Sequence, residues 1–132
     1  MGYTYKDNEK VALEIVKRLQ GKVLYKWKSL NNSYNAIFTA SYGPSDLEYK
    51  VGDYIRGLIR KINPDCILTV KWDGCIAEPK DSMGFSEGSA YAVRDTYYDD
   101  KDEEYYGTEI YIAACSTPTN IAYTITVCLE SE

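Results

Sequence analysis

Two segments of the chain repeat their apolar residues with the period of an amphipathic helix. The first, 5–20, stops before Gly21, and the second, 46–62, lies between Ser45 and Pro64. Side chains spaced i, i+3, i+4 and i+7 share one helix face, so the pattern predicts two helices that each bury one face. The apolar residues that define these faces are Ala12, Ile15, Val16 and Leu19 in the first helix and Leu47, Val51, Tyr54, Ile55, Leu58 and Ile62 in the second.

The second predicted helix carries signals for its start and for its packing. Ser45 and Glu48 have the spacing of a capping box, in which two residues satisfy backbone N–H groups at a helix start. Gly52 and Gly57 lie inside this helix, where each glycine costs about 1 kcal/mol relative to alanine. We expect close packing of the helix backbone on a sheet to explain both glycines.

The remaining segments alternate apolar and polar residues with the period of two that is typical of strands. Turn sequences such as Asn31–Ser33 and Asp73-Gly74 join them in short hairpins, which makes neighbouring strands antiparallel. Two helices cover only one face of such a sheet. We therefore predict an α+β fold, a two-layer sandwich with two helices on one face of a mostly antiparallel sheet of about six strands. The predicted strands are 23–28, 34–41, 67–72, 75–78, 89–98, 105–115 and 121–129, the last near the sheet centre, all within a single domain over residues 1–132.

The same alternation assigns side chains to the two faces of a strand. Tyr25 and Trp27 share a face with Val23, whereas Lys26 and Lys28 point to the opposite face. A stacking platform for nucleic acid needs rings and positive charges on the same side. We therefore interpret the two rings as core residues and the lysines as a solvated face. By the same rule we expect Leu68, Val70 and Trp72 to be buried together.

The residue types present exclude several kinds of active site. The chain has no histidine, which removes His-dependent triads, Cys–His pairs and histidine metal ligands. Its 4 cysteines lie in apolar, strand-like segments, and the closest two are nine residues apart. We expect buried thiols, with one disulfide as the alternative, and neither catalytic residues, nor a metal, nor a cofactor. The cysteines are Cys66, Cys75, Cys115 and Cys128.

No apolar run of the sequence is long enough to cross a bilayer, and no secretory signal is recognisable at its start. The free thiols that we expect fit the cytosol, where thiols are kept reduced and disulfides are rare. Together these features predict a cytoplasmic protein that does not contact a membrane.

The acidic charge of the chain is concentrated in one segment, 95–106, which reads DTYYDDKDEEYY. The whole chain has a net charge of −5, and this segment alone holds six acids and one base. The first 30 residues are biased the other way, with seven bases and three acids. Tyrosine is enriched where proteins meet proteins. We predict a protein-binding site formed by Asp95, Tyr97, Tyr98, Asp99, Asp100, Asp102, Glu103, Glu104, Tyr105 and Tyr106.

The chain is small, acidic and rich in tyrosine, and it lacks recognisable catalytic apparatus. In this general character it is similar to phage anti-defence proteins, such as anti-CRISPR proteins, and to immunity proteins that block nuclease toxins. The resemblance is one of class and covers no specific residue. It implies a non-enzymatic inhibitor that presents carboxylates to the basic, nucleic-acid-binding surface of a protein partner, without contacting nucleic acid directly.

Three other interpretations of the sequence stay open. The segment 95–106 is also compatible with a solvated hairpin that only keeps the protein soluble. A second alternative is a protein that sequesters a small ligand in a pocket near the Gly-rich loop 79–88, although that loop lacks the ending of a P-loop. The third is an enzyme that uses paired carboxylates as general acid and base. The carboxylates close enough in sequence for that role are Asp73, Glu78, Asp81 and Glu87.

Overall fold

The structure, a computed structural model, describes residues 3–43, 46–73, 90–116 and 121–130, and for 71–73, 115–116 and 121 it describes the backbone alone. Its helices and strands agree with the sequence pattern to within a few residues, except at the start of the second helix. In chain order they are α1 (Tyr5–Arg18), β1 (Lys22–Lys28), β2 (Tyr34–Thr39), a π-helical turn (Glu48–Gly52), α2 (Asp53–Ile62), β3 (Ile67–Asp73), β4 (Ala90–Tyr98), β5 (Glu104–Ser116) and β6 (Ile121–Cys128).

The six strands form one antiparallel sheet in the order β1-β2-β6-β5-β4-β3. Because β3 follows β2 in the chain but lies at the edge beyond β4, the connection through α2 passes over β6, β5 and β4. The predicted α+β class and two-layer arrangement are confirmed. The last strand lies between β2 and β5, which also confirms its predicted place near the centre.

The core lies between the helices and one face of the sheet. From α1 and α2 it receives the predicted apolar stripes, together with Ile59, which is fully buried. From the sheet it receives alternate residues of the four inner strands, including the large rings of Phe38 and Tyr123, which stack with centroids 5.3 Å apart. Burial of such large apolar surfaces is the main favourable contribution to folding.

The start of α1 is fixed by polar contacts that the apolar pattern does not reveal. Thr4 and Asp7 form a capping box, in which each side chain accepts a hydrogen bond from the backbone N–H of the other residue. The buried Asn8 then ties three elements together. Its amide donates to the Asn32 carbonyl in the β1–β2 turn, and its carbonyl accepts from the Leu129 N–H after β6, both at 2.8 Å.

The second helix begins differently from the prediction. A π-helical turn precedes α2, and Glu48 in that turn pairs with Arg56 and accepts a hydrogen bond of 2.6 Å from the buried Tyr91 hydroxyl on β4. Ser45, its predicted partner in a capping box, lies outside the described residues. The expected packing of both glycines on the sheet is wrong. Gly52 lies under the side chains of Glu48 and Arg56, and Gly57 faces open space.

The first strand also departs from the prediction, because one extra residue shifts its pairing with β2. Val23 pairs with Phe38 and Tyr25 pairs with Ile37, so a bulge separates Val23 from the rest of the strand. Beyond the bulge, the faces are exchanged. The rings of Tyr25 and Trp27 are 62% and 41% exposed, which overturns their assignment to the core.

Several predicted features fall on residues that the structure does not describe. These are the strand 75–78, the loop 79–88 and Cys75. The backbone of Trp72 pairs with Tyr91, but its side chain, like that of Cys115, is outside the described part. Leu68 is half-buried and Val70 is 37% exposed on the edge strand β3, so their predicted joint burial is wrong. Cys66 and Cys128 are half-buried thiols, less enclosed than predicted. Burial and the nearby carboxylates of Glu130 and Glu109 raise the pKa of the Cys128 thiol.

Candidate functional site

The predicted binding segment forms the end of the β4–β5 hairpin. Thr96 still has a neighbour in β3, namely Ile67, and Glu109 still has a neighbour in β6, namely Cys128. Beyond these pairs, residues 97–106 of β4 and β5 pair only with each other, and no third strand of the described part of the chain lies beside them. We call residues 97–106 the acidic tip. It is a two-stranded ribbon that extends past the edge of the sheet layer.

The turn of the acidic tip is ordered by the Asp99 carboxylate. One of its oxygens accepts hydrogen bonds from the backbone N–H groups of Lys101 and Glu103, at 2.8 and 2.9 Å. The other accepts from the Tyr105 hydroxyl at 3.2 Å. Donation by the Glu103 N–H is the largest cause that keeps the pKa of Asp99 below its usual value. Asp102 has φ near 60°, a conformation that aspartate tolerates better than most residues.

The four tyrosines of the acidic tip lie on two different faces. Tyr97 and Tyr105 are opposite each other on the side of the helices, and their rings stack with centroids 5.6 Å apart. Tyr98 and Tyr106 lie on the other side of the ribbon, where both hydroxyls donate to the Glu104 carboxylate, at 3.5 and 2.7 Å. All four rings are between 37% and 52% exposed. The tip therefore presents a tyrosine pair beside carboxylates on each face.

Sequence reasoning missed one residue at the base of the tip. Arg94 pairs with Glu109 on the neighbouring strand and places its guanidinium 4.8 Å from the centre of the Tyr106 ring. This cation–π contact holds one tip tyrosine in place. The only signal in the sequence was the i, i+2 alternation along β4, which places Arg94 on the same face as Tyr98. Their partners on β5, Glu109 and Glu104, lie on that face too.

Asp95 was predicted as part of the binding surface, and the structure corrects this. It is 0% exposed, because it continues the covered face of β4 that Tyr91 and Val93 begin, at every second residue. A Cβ atom at Gly107 would overlap that carboxylate, so the glycine makes room for it. A partner cannot touch Asp95 without unfolding the hairpin base. Asp99 is half-buried, and the exposed acids of the site begin at Asp100.

The acidic tip carries five carboxylates and one ammonium group, that of Lys101. None of the ion pairs found within the described ranges involves a tip carboxylate. Hydrogen bonds to Glu103 and Asp99 raise the pKa of Tyr105, and a hydrogen bond to Glu104 raises the pKa of Tyr106. Both tyrosines therefore remain neutral donors at physiological pH, and the negative potential of the tip comes from carboxylates alone.

Comparison with known proteins adds no family: no protein-family model matches the chain, and no curated protein matches it with significant similarity. In the portion that the structure covers, no helix is both long and apolar enough to cross a membrane. No group of three metal-ligating side chains occurs there either. The ligand loop 79–88 and three of the four carboxylates proposed for an enzyme lie outside the described residues, and of Asp73 only the backbone is described.

Proposed function

We propose that the protein is a non-enzymatic inhibitor that docks its acidic tip on the basic, nucleic-acid-binding surface of a protein partner. The observation that supports this most directly is the protrusion of residues 97–106 beyond the neighbouring strands, with carboxylates that no lysine or arginine of the described chain neutralises. A ribbon of this kind can enter a groove that is wide enough for a strand pair, as β-ribbons do in the major groove of DNA.

The two kinds of tip residue have different roles in the proposed complex. Carboxylates attract the partner over a distance and raise the association rate, an effect that salt screens with a Debye length of about 10 Å at 0.1 M. The exposed tyrosines supply the short-range energy, as aromatic hot spots in interfaces do. Because the rings lie on both faces, a partner that encloses the ribbon contacts both tyrosine pairs, whereas a flat partner contacts one.

The test begins with the capture of partners from a lysate of the source cells by the wild-type chain, followed by purification of the partner that is found. The tip variant is Asp100→Asn, Asp102→Asn and Glu103→Gln, which keeps Asp99 because that residue orders the turn. We expect binding to the purified partner to fall by about tenfold or more, with the main change in association rate. The matched control changes three exposed acids elsewhere, Asp53→Asn, Asp65→Asn and Glu130→Gln.

Two further measurements separate inhibition from simple binding. Double-stranded DNA or RNA that the partner binds should displace the protein, because both occupy the same surface. Replacing Tyr97 and Tyr105 by serine, and separately Tyr98 and Tyr106, should show which face carries the contact, at about 2 kcal/mol for each hot-spot ring. Equal binding by the tip variant and the control, or simultaneous binding of nucleic acid and protein, would refute the proposed function.

A further inference from the structure

A cleft of about 490 Å³ opens between the start of α1 and the end of β1. It is a shallow, open cleft that side chains of another molecule can contact. The two charged groups in its walls, Lys6 and Lys28, are both exposed. The cleft is lined by Tyr3, Thr4, Tyr5, Lys6, Lys28 and Asn32.

The lysines of this cleft lack a carboxylate partner within the chain as described. None of the ion pairs between described residues involves Lys6 or Lys28, whereas the neighbouring Lys26 binds Glu9 at 2.8 Å. The capping box uses the N–H groups of Thr4 and Asp7, and it holds the Asp7 carboxylate against Thr4 at the edge of the cleft. Two lysine ammonium groups therefore stand against one carboxylate there. The cleft is thus a basic, tyrosine-lined surface, opposite in charge to the acidic tip.

The cleft and the acidic tip lie at the same end of the sheet. The first residue of β2, Tyr34, pairs with Val127 near the end of β6, and β6 ends beside Glu109 of β5. The tip is the continuation of β5 and β4 past that end, and the cleft lies beside the β1–β2 turn at the same end. Both surfaces therefore lie at the end of the sheet where β2 and β5 begin.

A chain cannot place its own tip in its own cleft. From β1 to β5 there are three inter-strand spacings, which amount to roughly 14 Å across the sheet. The ribbon continues along the strand direction, so it points away from the sheet rather than sideways. An acidic tip can therefore reach the cleft only from another molecule.

We propose that two copies of the chain pair end to end, with the acidic tip of each copy in the Lys6–Lys28 cleft of the other. A twofold axis between the two sheet ends makes both contacts at once, because tip and cleft are side by side on one end. The exposed carboxylates of Asp100, Asp102 and Glu103 would then meet the two lysine ammonium groups. This pairing does not rest on the proposed function, but it occupies the same tip, so a basic partner would dissociate the pair.

Sedimentation velocity measures the mass of the protein in solution, and its dependence on salt distinguishes this pairing from the repulsion that the net charge alone would cause. Two chains that each carry −5 repel one another, most strongly at low salt. We expect the reverse: a mass approaching twice 15.0 kDa at low ionic strength and high protein concentration, and dissociation as salt rises. A chain of 15.0 kDa at every concentration and salt would overturn the proposal.

Charge variants sharpen the test. Lys6→Gln with Lys28→Gln should weaken self-association by about tenfold or more. The control, Lys10→Gln with Lys17→Gln, changes the net charge equally on the exposed face of α1 and should associate like the wild type. The tip variant Asp100→Asn, Asp102→Asn and Glu103→Gln lowers the net repulsion and should nevertheless associate more weakly.

The strictest test mixes the tip variant with the cleft variant, which is Lys6→Gln with Lys28→Gln. The cleft variant retains its tip and the tip variant retains its cleft, so the mixture can form one intact contact although neither variant pairs with itself. We expect a mixed dimer in the mixture alone. Absence of that dimer, or equal weakening by the α1 control, would show that the contact does not use the cleft. Thermal melting of each variant verifies the fold, since all substituted side chains are exposed.

Discussion

A methyl group at Gly52 would overlap the Glu48 carboxylate and crowd the Arg56 guanidinium. Those groups are the flexible ends of their side chains, but Glu48 is also held by the buried Tyr91 hydroxyl. Displacing the carboxylate leaves that hydroxyl without this acceptor. The glycine is therefore required by the side chains that cross above it, rather than by contact between backbones.

We predict that Gly52→Ala destabilises the protein by about 1–2 kcal/mol, because the weakened Tyr91–Glu48 bond outweighs the gain in helix propensity. The matched control is Gly57→Ala in α2, which directly follows the turn that contains Gly52. Nothing lies within 4 Å of a Cβ atom there, so alanine should stabilise by up to about 1 kcal/mol. Denaturant unfolding of both variants measures the change in the free energy of unfolding, which should fall for Gly52→Ala and rise for Gly57→Ala. A destabilising Gly57→Ala or a stabilising Gly52→Ala would contradict this account.

At the scale of the element, the β4–β5 hairpin has a turn that depends on one carboxylate among several. Asp99 accepts two backbone N–H groups, whereas Asp100 is exposed and makes no hydrogen bond in the part of the chain described. We predict that Asp99→Ala speeds amide hydrogen exchange across residues 100–104, and that Asp100→Ala does not. Because its pKa is lowered, Asp99 orders the turn at neutral pH and loses this effect as pH falls through its folded pKa.

The measurement is amide exchange by NMR at two pH values for both variants. Global melting should change little in either case, because the tip contributes no residue to the core. Equal exchange in the two variants would mean that the ribbon, and not Asp99, orders the turn.

At the scale of the whole molecule, the buried hydroxyls of Tyr91 and Tyr34 differ in whether they join the sheet to the helix layer. The Tyr91 hydroxyl joins the sheet to the turn before α2 through Glu48. The hydroxyl of Tyr34 is equally buried but has no hydrogen-bond partner among the described atoms. A satisfied buried hydroxyl contributes about 1 kcal/mol, whereas an unsatisfied one is a cost.

We therefore predict that Tyr91→Phe destabilises by about 1–2 kcal/mol and that Tyr34→Phe is neutral or stabilising. Arg56, followed by Tyr91, lowers the pKa of Glu48. Stability from this carboxylate is present above its unfolded pKa, near 4.5, and is lost as pH falls through the lower folded value. Thermal unfolding at pH 7 and pH 3 should show the Tyr91→Phe effect shrinking in acid. A larger loss from Tyr34→Phe would contradict the assignment.

The features of the fold that could be predicted are those that neighbouring residues in the sequence specify. The two helices, the hairpins and the central β6 follow from periodicity and turn residues, because these act over a few neighbouring positions. The β1 bulge has no local signature, and it reversed the faces of Tyr25 and Trp27. The burial of Asp95 did have a local signal, since Asp95 continues the alternation of Tyr91 and Val93 along β4. It was missed because the run of acids was interpreted as one exposed surface.

The sequence by itself determined the α+β class, the order of elements and the concentration of acid and tyrosine in one hairpin, because apolar periodicity and charge are properties of adjacent residues. Only the tertiary structure decided that this hairpin extends past the sheet, that its tyrosines divide between two faces, and that a basic cleft lies at the same end. Those features depend on strand register and on packing between distant segments, which no local pattern records.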